Sequence, residues 1–559
     1  MSWLPRDRAT IRDDARAGLV LGVQSVPDGL AAGLLAGLSP LTGLHAYILG
    51  TLAGALAVSS TFMVVQSTGA MAMVVADIEI LQGSGNQVAL LATLSLLTGA
   101  VMILAGLLRM GRILRFVSNA VMVGFMSAVG VNIILGQLPN LTGFAASGAN
   151  RITRTVSTFA SPAELSWPSV IAGLTTIALI LLLERTRVGA LGLVIAVIAV
   201  SAVVALIQAP GIATLNDLGI DAMTLPSLTL PAAGDVVALL LPAAALAFVG
   251  LVQGAGISSA FPNSDGRRGD ASRDFTGQGI ANVASAFGGG LPVGGSASAS
   301  ALNHAAGART RLAPLVAAVV MVLVVVVFGT TVGYVALPSL AGLLILIGAR
   351  TINRTRIAEV WSAGTVQRLV MLVTFVLTMI IPLQQAVLVG VALSFVLYVV
   401  SASSRLRIRQ RVTDADGTVI EADPVAEVAE GEVVVLQVYG TLFFASAAAL
   451  EETLPDVTQR TRHSVVILRL RGHGRAGTTV MQVLRRYGRS LVEADSRLMI
   501  VAEDPGMVDQ LDRLGVTDAI GRDNVYAGDE RVGHAVAAAT ADAAAWVAEQ
   551  DTRGPTQQG

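Results

Sequence analysis

Residues 288–303, GGGLPVGGSASASALN, interrupt apolar sequence with a stretch that cannot run as one continuous helix. Five glycines and Pro292 come first. Small residues and the hydroxyls Ser296, Ser298 and Ser300 follow, and these can start a short helix. The first N–H groups of such a helix have no intrahelical partner. At membrane depth, irregular backbone is tolerated only where protein buries it or it lines a cavity, and a helix N-terminus there offers roughly half a positive charge to an anion. The stretch is therefore a candidate binding site. Close helix packing through small residues is the competing explanation.

The surrounding chain is that of an integral membrane protein. Over 559 residues, 53% are hydrophobic and only 13% charged, against roughly a quarter charged in soluble domains. The net charge of −1 gives no reason to expect a nucleic-acid partner, and the absence of cysteine excludes disulfides and thiolate metal sites. Apolar segments of bilayer-crossing length recur from Gly18 to Val400, about fourteen in all with two of half length. Spans are expected to begin near Gly18, Leu41, Thr61, Val88, Ile113, Pro168, Gly189, Asp235, Phe275, Gly295, Leu312, Val335, Val370 and Gln384. Arg6, Arg8, Arg12 and Arg16 before the first span mimic a signal peptide, but the apolar sequence continues, so an uncleaved first span is expected.

Arginine placement tests this count, because cytoplasmic loops are enriched in basic residues. With the N-terminus inside, even-numbered crossings meet Arg109/Arg112/Arg115, Arg185/Arg187, Arg267/Arg268/Arg273, Arg309/Arg311, Arg350/Arg354/Arg356 and Arg405/Arg407/Arg409/Arg411. Outer loops are nearly free of arginine, with Arg151 and Arg154 the exceptions. Both termini are therefore expected in the cytoplasm, with the protein in the plasma (inner) membrane.

A second broken segment, Ser59 to Asp77, brings an extended apolar lead-in to Gln66-Ser67-Thr68-Gly69 and then a short apolar helix. It lies third from the start, and the first lies third in a second set of seven spans, the pattern of an inverted repeat. Two half-helix N-termini would face each other near the midplane. With Ser67, Thr68 and Gly69 on one side and Gly295, Ser296, Ala297 and Ser298 on the other, they form a donor-rich pocket suited to an oxyanion. Asp28 follows Pro27 inside a span, where a carboxylate is costly enough to be a functional candidate, for coupling to a proton or Na+; a partner in a water-filled vestibule is the equal alternative. Asp77 and Glu79 are expected to reach water at an outer end. His304 is expected at a helix end beside exposed carbonyls, and Asn119 and Asn132 in interhelical hydrogen bonds.

Residues 24–31, QSVPDGLA, with 35–44, LAGLSPLTGL, resemble the first-span signature of the SulP anion permeases, the family that includes the animal SLC26 transporters. Residues 277–282, GQGIAN, running into 289–296, GGLPVGGS, resemble its second-half signature. The resemblance implies a seven-plus-seven inverted repeat with core and gate subdomains, a homodimer, and a cytoplasmic STAS domain. It also places Gln24 and Gln253 in the binding site, where either can donate and accept. Gln253 stands where many members carry a glutamate linked to proton coupling, Ala299 where many carry an arginine, and Gln66-Ser67 where Gly-Pro is usual. The pocket thus has helix dipoles, hydroxyls and amides, but one fixed cation and one titratable acid fewer, which favours a monovalent anion or a neutral polar solute over a dianion.

After Arg411 the sequence becomes polar and acidic. Glu432 to Val438, Ser464 to Leu470 and Leu498 to Val501 read as strands, and Thr478 to Leu491 and Met507 to Leu514 as helices, an α/β alternation similar to STAS domains. Ala476 and Gly477 replace the Asp-Ser pair of free-standing STAS proteins, so no phosphoswitch is expected there.

The expected organisation is a multi-pass α-helical transporter unit over residues 1–411, a linker over 412–431 whose part from Thr413 also reads as an irregular first strand, the STAS domain over 432–548 with a closing helix from Ala535 to Ala545, and a disordered end over 549–559. The expected activity is secondary active transport of a small sulfate-like or bicarbonate-like anion, or a carboxylate, by alternating access, without a cofactor or enzyme chemistry. The rival readings are a nucleobase transporter of the same fold, an uncoupled anion channel, and a STAS-based membrane signalling protein.

Overall fold

The structure, a computed structural model, describes residues 7–552 apart from 84, 112–117, 145–146, 148–150, 187, 221, 233, 264–265, 268, 404–405, 414–415, 417, 471, 473, 530 and 532. Arg6, Arg112, Arg115, Arg187, Arg268 and Arg405 of the charge pattern lie outside the described residues. The chain forms two compact units, Met1–Ser394 and Phe395–Gly559.

The first unit is built from membrane helices in the expected order: α1 (Arg8–Leu35), α2 (Pro40–Ala57), α3 (Gly69–Ala76), α4 (Gln87–Leu107), α5 (Asn119–Thr142), α6 (Trp167–Leu183), α7 (Gly192–Leu206), α8 (Val236–Ala260), α9 (Ala271–Phe287), α10 (Ala297–Ala305), α11 (Leu312–Phe328), α12 (Leu337–Thr351), α13 (Thr365–Ile380) and α14 (Leu383–Ser403). Among the described residues, seven helical stretches are long and apolar enough to span a bilayer by themselves, and α3 and α10 are the two half-length helices. Helix α1 starts at Arg8, earlier than the apolar run at Gly18, because Asp7 caps it by accepting from the N–H groups of Ala9 and Thr10 at 3.3 and 3.2 Å.

The packing repeats itself between the two halves. Helix α1 packs on α11 as α8 packs on α4, and α6 packs on α12 as α13 packs on α5. The equivalent helices α5 and α12 meet through glycine: a Cβ on Gly130 would lie 2.6 Å from the Gly348 carbonyl oxygen, and one on Gly348 2.9 Å from that of Gly130. These correspondences are those of a seven-plus-seven inverted repeat.

The broken segments meet. Strand β1 (Val64–Gln66) leads into α3 and strand β2 (Gly294–Ser296) into α10; the two pair antiparallel in the register Val64↔Ser296, Val65↔Gly295, Gln66↔Gly294. Backbone that cannot be helical is thereby hydrogen-bonded within the protein. Glycine lets the neighbouring helices close on this ladder. A Cβ on Gly54 of α2 would lie 2.6 Å from Val65 Cβ, and Cβ atoms on Gly294 and Gly295 would lie 2.8 Å from the Cα atoms of Gly250 and Gly254 of α8.

The second unit is a six-stranded sheet of order β4-β3-β5-β6-β7-β8: β3 (Arg407–Thr413), β4 (Val419–Ala422), β5 (Val433–Tyr439), β6 (Val465–Leu470), β7 (Arg497–Ala502) and β8 (Val525–Ala527). Strands β5 to β8 are parallel, and β3 is antiparallel to both neighbours. Alternation decides the faces. Val434, Leu436, Val466, Leu468 and Ile500 pack under α15 (Thr478–Glu493) and α16 (Pro505–Arg513), while Val465, Ile467, Met499 and Val501 pack under α17 (His534–Thr552). Two expectations are corrected. The 412–431 linker contains the end of β3 and all of β4, whose pairing of Arg411 with Glu421 and Val412 with Ile420 makes it part of the sheet. The end expected to be disordered from 549 is helical through Thr552, because α17 continues past the Val547 contact; residues 553–559 lie outside the described residues.

The glycine contacts generate a stability test. Gly254→Leu, whose Cβ would fall 2.3 Å from Gln278 Nε2, is expected to destabilise the membrane unit by about 1–3 kcal/mol. Gly256→Ala, with no atom within 4 Å of the added carbon, is expected to leave the melting temperature of the detergent-solubilised protein unchanged. Equal melting temperatures for the two variants would contradict the packing described.

Candidate functional site

Each half-helix is capped from the residue before it. Thr68 and Ser296 have extended backbones, and their hydroxyls accept from Met71 N–H at 3.3 Å and Ala299 N–H at 3.4 Å. The caps leave the N–H groups of Gly69 and Ala70, and of Ala297 and Ser298, without an intrahelical acceptor. Two helix N-termini thus start from opposite ends of one antiparallel ladder, each bringing partial positive charge to it.

Buried side chains hold this junction. Gln66 donates to Ser25 Oγ at 2.9 Å and Thr51 Oγ1 at 3.1 Å, tying β1 to α1 and α2. The Gly295 N–H donates to Gln278 Oε1 at 2.9 Å, and Asn282 both donates to and accepts from the Val293 backbone, at 2.6 and 2.9 Å. Ser300 Oγ accepts from Val64 N–H at 3.0 Å, linking the halves directly. Asp274, fully buried, accepts from the N–H groups and hydroxyls of Ser59 and Ser60 and from Ser258 Oγ, all within 3.0 Å, and so fixes the lead-in to β1. Sequence reasoning assigned no role to Asp274, Gln278 or Asn282. An acid one turn after the capping Asp270 was the available signal, but two of its three serine partners, Ser59 and Ser60, lie 215 and 214 residues away.

Four polar atoms at this junction are buried without a partner: Gln24 Oε1, Asp28 Oδ1, Ser67 Oγ and Gln253 Oε1. The other such atoms among the described residues are Asn303 Oδ1 and, in the second unit, Arg469 Nε. An unsatisfied buried polar atom costs roughly 1–3 kcal/mol, so these four on α1, α8 and the lead-in to α3 make this the candidate site. Gln24 and Asp28 are one turn apart on α1, with the Gln24 amide hydrogen-bonded to the Asp28 carboxylate. Helix α1 packs against α3 and α10, as does α8, which carries Gln253. Gln253 makes only a long contact, 3.7 Å, to Met126 Sδ of α5.

The remaining site candidates divide. Ser67 is 1% exposed and Ser296 6%, whereas Ala297 and Ser298 are exposed. The exposed face of α10 continues through Ala301, His304 and Ala305, so the chain leaves that side of the helix uncovered. The N–H of Gly295 is taken by Gln278, so Gly295 contributes close approach rather than a donor. A small apolar cavity of about 20 Å³ beside α8, lined by Val121, Phe125, Phe248, Val249 and Val252 with Thr374, offers an anion nothing. Asn132 donates to the Thr378 carbonyl at 3.2 Å, the interhelical role expected. His304 is in the last turn of α10, its ring 4.8 Å from Phe62 and 5.2 Å from Phe261. Asp77 departs from expectation: it reaches Arg151 at 2.5 Å rather than open water.

An unpartnered buried hydroxyl at Ser67 predicts an unusual pair of effects. Ser67→Ala is expected to preserve the melting temperature, or raise stability by up to about 1 kcal/mol, while transport falls at least several-fold. A destabilised variant with unimpaired transport would show that Ser67 is structural.

Comparison with known proteins agrees with this geometry. The family model described as "Sulfate permease family" matches residues 11–374, and that of the STAS domain matches residues 423–529. The chain is 27% identical over 525 residues to the "Putative sulfate transporter YvdB" of Bacillus subtilis (strain 168), covering 92% of this chain and 95% of the relative. It is 25% identical over 453 residues to the "Bicarbonate transporter BicA" of a Picosynechococcus species, covering 79% and 80%. A solved structure titled "The overall structure of SLC26A9" superposes with a TM-score of 0.83 at 17% identity, covering 99% of this chain and 93% of the other. With the paired half-helices, the repeat and the α/β domain in place, the chain belongs to the sulfate permease (SulP) family of membrane anion transporters and carries a C-terminal STAS domain.

Proposed function

We propose that this protein is a secondary active transporter in the plasma membrane that moves a small, monovalent, proton-bearing oxyanion, bicarbonate first, by alternating access. The observation that carries this reading is the unpartnered set Gln24 Oε1, Asp28 Oδ1, Ser67 Oγ and Gln253 Oε1 beside two helix N-termini. Helix N-termini attract negative charge, but a carboxylate and amide oxygens call for a donor. Bicarbonate carries both a delocalised charge and an O–H. Sulfate brings two charges and no donor, and with Ala299 where relatives carry arginine, only partial charges would balance it.

In this reading α1–α4 and α8–α11 form a core subdomain that carries the site, and α5–α7 and α12–α14 form a gate subdomain. Both termini are cytoplasmic, in keeping with the arginine pattern, and the exposed face of α10 is the path to the cytoplasm. Asp28 is the coupling group, taking a proton or Na+ when the anion binds. The working assembly is a homodimer, as the family resemblance implies.

The test is radiolabelled uptake into proteoliposomes, comparing bicarbonate, sulfate, a dicarboxylate and a nucleobase, each with and without an imposed proton or Na+ gradient. Bicarbonate uptake driven by one of the gradients is expected, with Asp28→Asn abolishing the response to that gradient. Sulfate or nucleobase uptake that leaves bicarbonate behind would overturn the substrate, and gradient-driven uptake by Asp28→Asn would overturn the coupling role.

A further inference from the structure

The far end of α3 carries an arrangement that the site itself does not use. Asp77 follows the helix, whose eight residues put it ~12 Å along the axis from the N-terminus at the site. Its carboxylate is divided between two partners: Oδ1 accepts from the Arg151 guanidinium at 2.5 Å, and Oδ2 from the Leu383 backbone N–H at 3.0 Å. Arg151 is the first residue of the helix Arg151–Ala160, which packs on α5, and Leu383 is the first residue of α14. Helix α14 in turn lies on α5, where a Cβ on Gly390 would come within 2.9 Å of Val121. One carboxylate therefore joins a site helix to two elements of the group that includes α5.

Electrostatics explains why these residue types stand here. A helix C-terminus carries partial negative charge, so a carboxylate just after α3 is unfavourable alone and needs a cation; the N-terminus of α14 favours the same carboxylate. Arg151, an exception to the arginine bias of the loops, supplies that cation. The Asp77 and Arg151 side chains are only 15% and 25% exposed, so the pair is less screened than a surface pair. The two half-helices also differ. Ala70 to Val75 of α3 are all buried, at most 3% exposed, whereas α10 is exposed from Ala297 to Ala305 along one face. The chain thus covers α3 up to the Asp77 end and leaves one face of α10 uncovered, the face that opens in the alternating-access reading.

From this we infer that Asp77 is a positioning residue for transport, a latch that holds the outer end of α3 to the Arg151 helix and to α14 while the site is open along α10, and that releases when the site opens outward. The inference rests on the alternating-access reading. Weakening the latch shifts the population toward the outward-open form without touching the substrate.

The chain has no cysteine, so single reporters report without background. Ala72→Cys and Ala301→Cys, on α3 and α10, are labelled with a maleimide in nanodiscs, where both faces are accessible. Asp77→Asn and Arg151→Gln are each expected to speed labelling at position 72 and slow it at 301, by roughly three- to ten-fold. The charge-swapped pair Asp77→Arg with Arg151→Asp restores part of the wild-type pattern, since the ion pair returns but the Leu383 bond does not. Unchanged labelling in Asp77→Asn with an unaltered melting temperature, in a protein whose wild-type reporters do respond to bicarbonate, overturns the latch alone. Reporters that never exchange accessibility, in any variant or with bicarbonate, overturn alternating access and the latch with it. If Asp77→Asn fails to fold, Arg151→Gln decides by the same two rates.

Discussion

In a membrane interior every backbone N–H and C=O must find a partner, and this requirement governs the whole transporter unit. Two membrane helices are broken, and each break exposes peptide groups that lipid cannot satisfy. The three-residue pairing of Val64–Gln66 with Gly294–Ser296 meets much of that demand by setting one break against the other. The rest falls to buried polar side chains, Gln66, Gln278, Asn282, Ser300 and Asp274, each bonded to extended backbone or to a neighbouring helix. Glycines at 54, 250 and 254 then let α2 and α8 lie directly on the ladder. The break, the pairing and the glycine contacts are one solution to one constraint.

The atoms left out of this solution are as informative as those within it. Polar groups that serve the scaffold are bonded; Gln24, Asp28, Ser67 and Gln253, around the half-helix starts, each keep an unpartnered oxygen. A structure that satisfies Asp274 with five donors does not leave Asp28 short for lack of available serines. The difference separates a fully bonded scaffold carboxylate from the one proposed as the coupling group. The same logic relates the two half-helices: α3 is packed along its length and tied at Asp77, while one face of α10 is left uncovered by the chain, so repeat-related elements occupy different environments. Under the alternating-access reading proposed above, such asymmetry is expected at either end of the cycle.

Much of this was legible in the sequence because membrane constraints act locally. Glycine, proline and hydroxyl residues inside apolar runs marked both broken segments, and the cap residues Thr68 and Ser296 stand where N-cap chemistry places them. What was not legible depends on pairing at long range. A three-residue strand within an apolar run has no periodicity to read, so the ladder was invisible. Asp77 reads as a water-facing end until Arg151 is brought to it from 74 positions away, and Asp274 reads as one more loop acid until Ser59 and Ser60 arrive. In the soluble unit, the end of β3 and all of β4 fall in the stretch read as a linker or an irregular first strand, because Arg409 and Arg411 alternate with Gln410 and Val412 on a strand with little apolar character of its own, and β4 is largely exposed.

The central claim is that the transported anion sits between the N-termini of α3 and α10. Anomalous diffraction from crystals soaked in hydrogen selenite tests it most directly, because that ion is monovalent, carries a proton, and scatters strongly from its centre. The account predicts a selenium peak bounded by Ser67, Thr68, Ser296 and Ser298 and within reach of Gln24 and Gln253. A peak elsewhere, or none in a preparation that transports the ion, would contradict it.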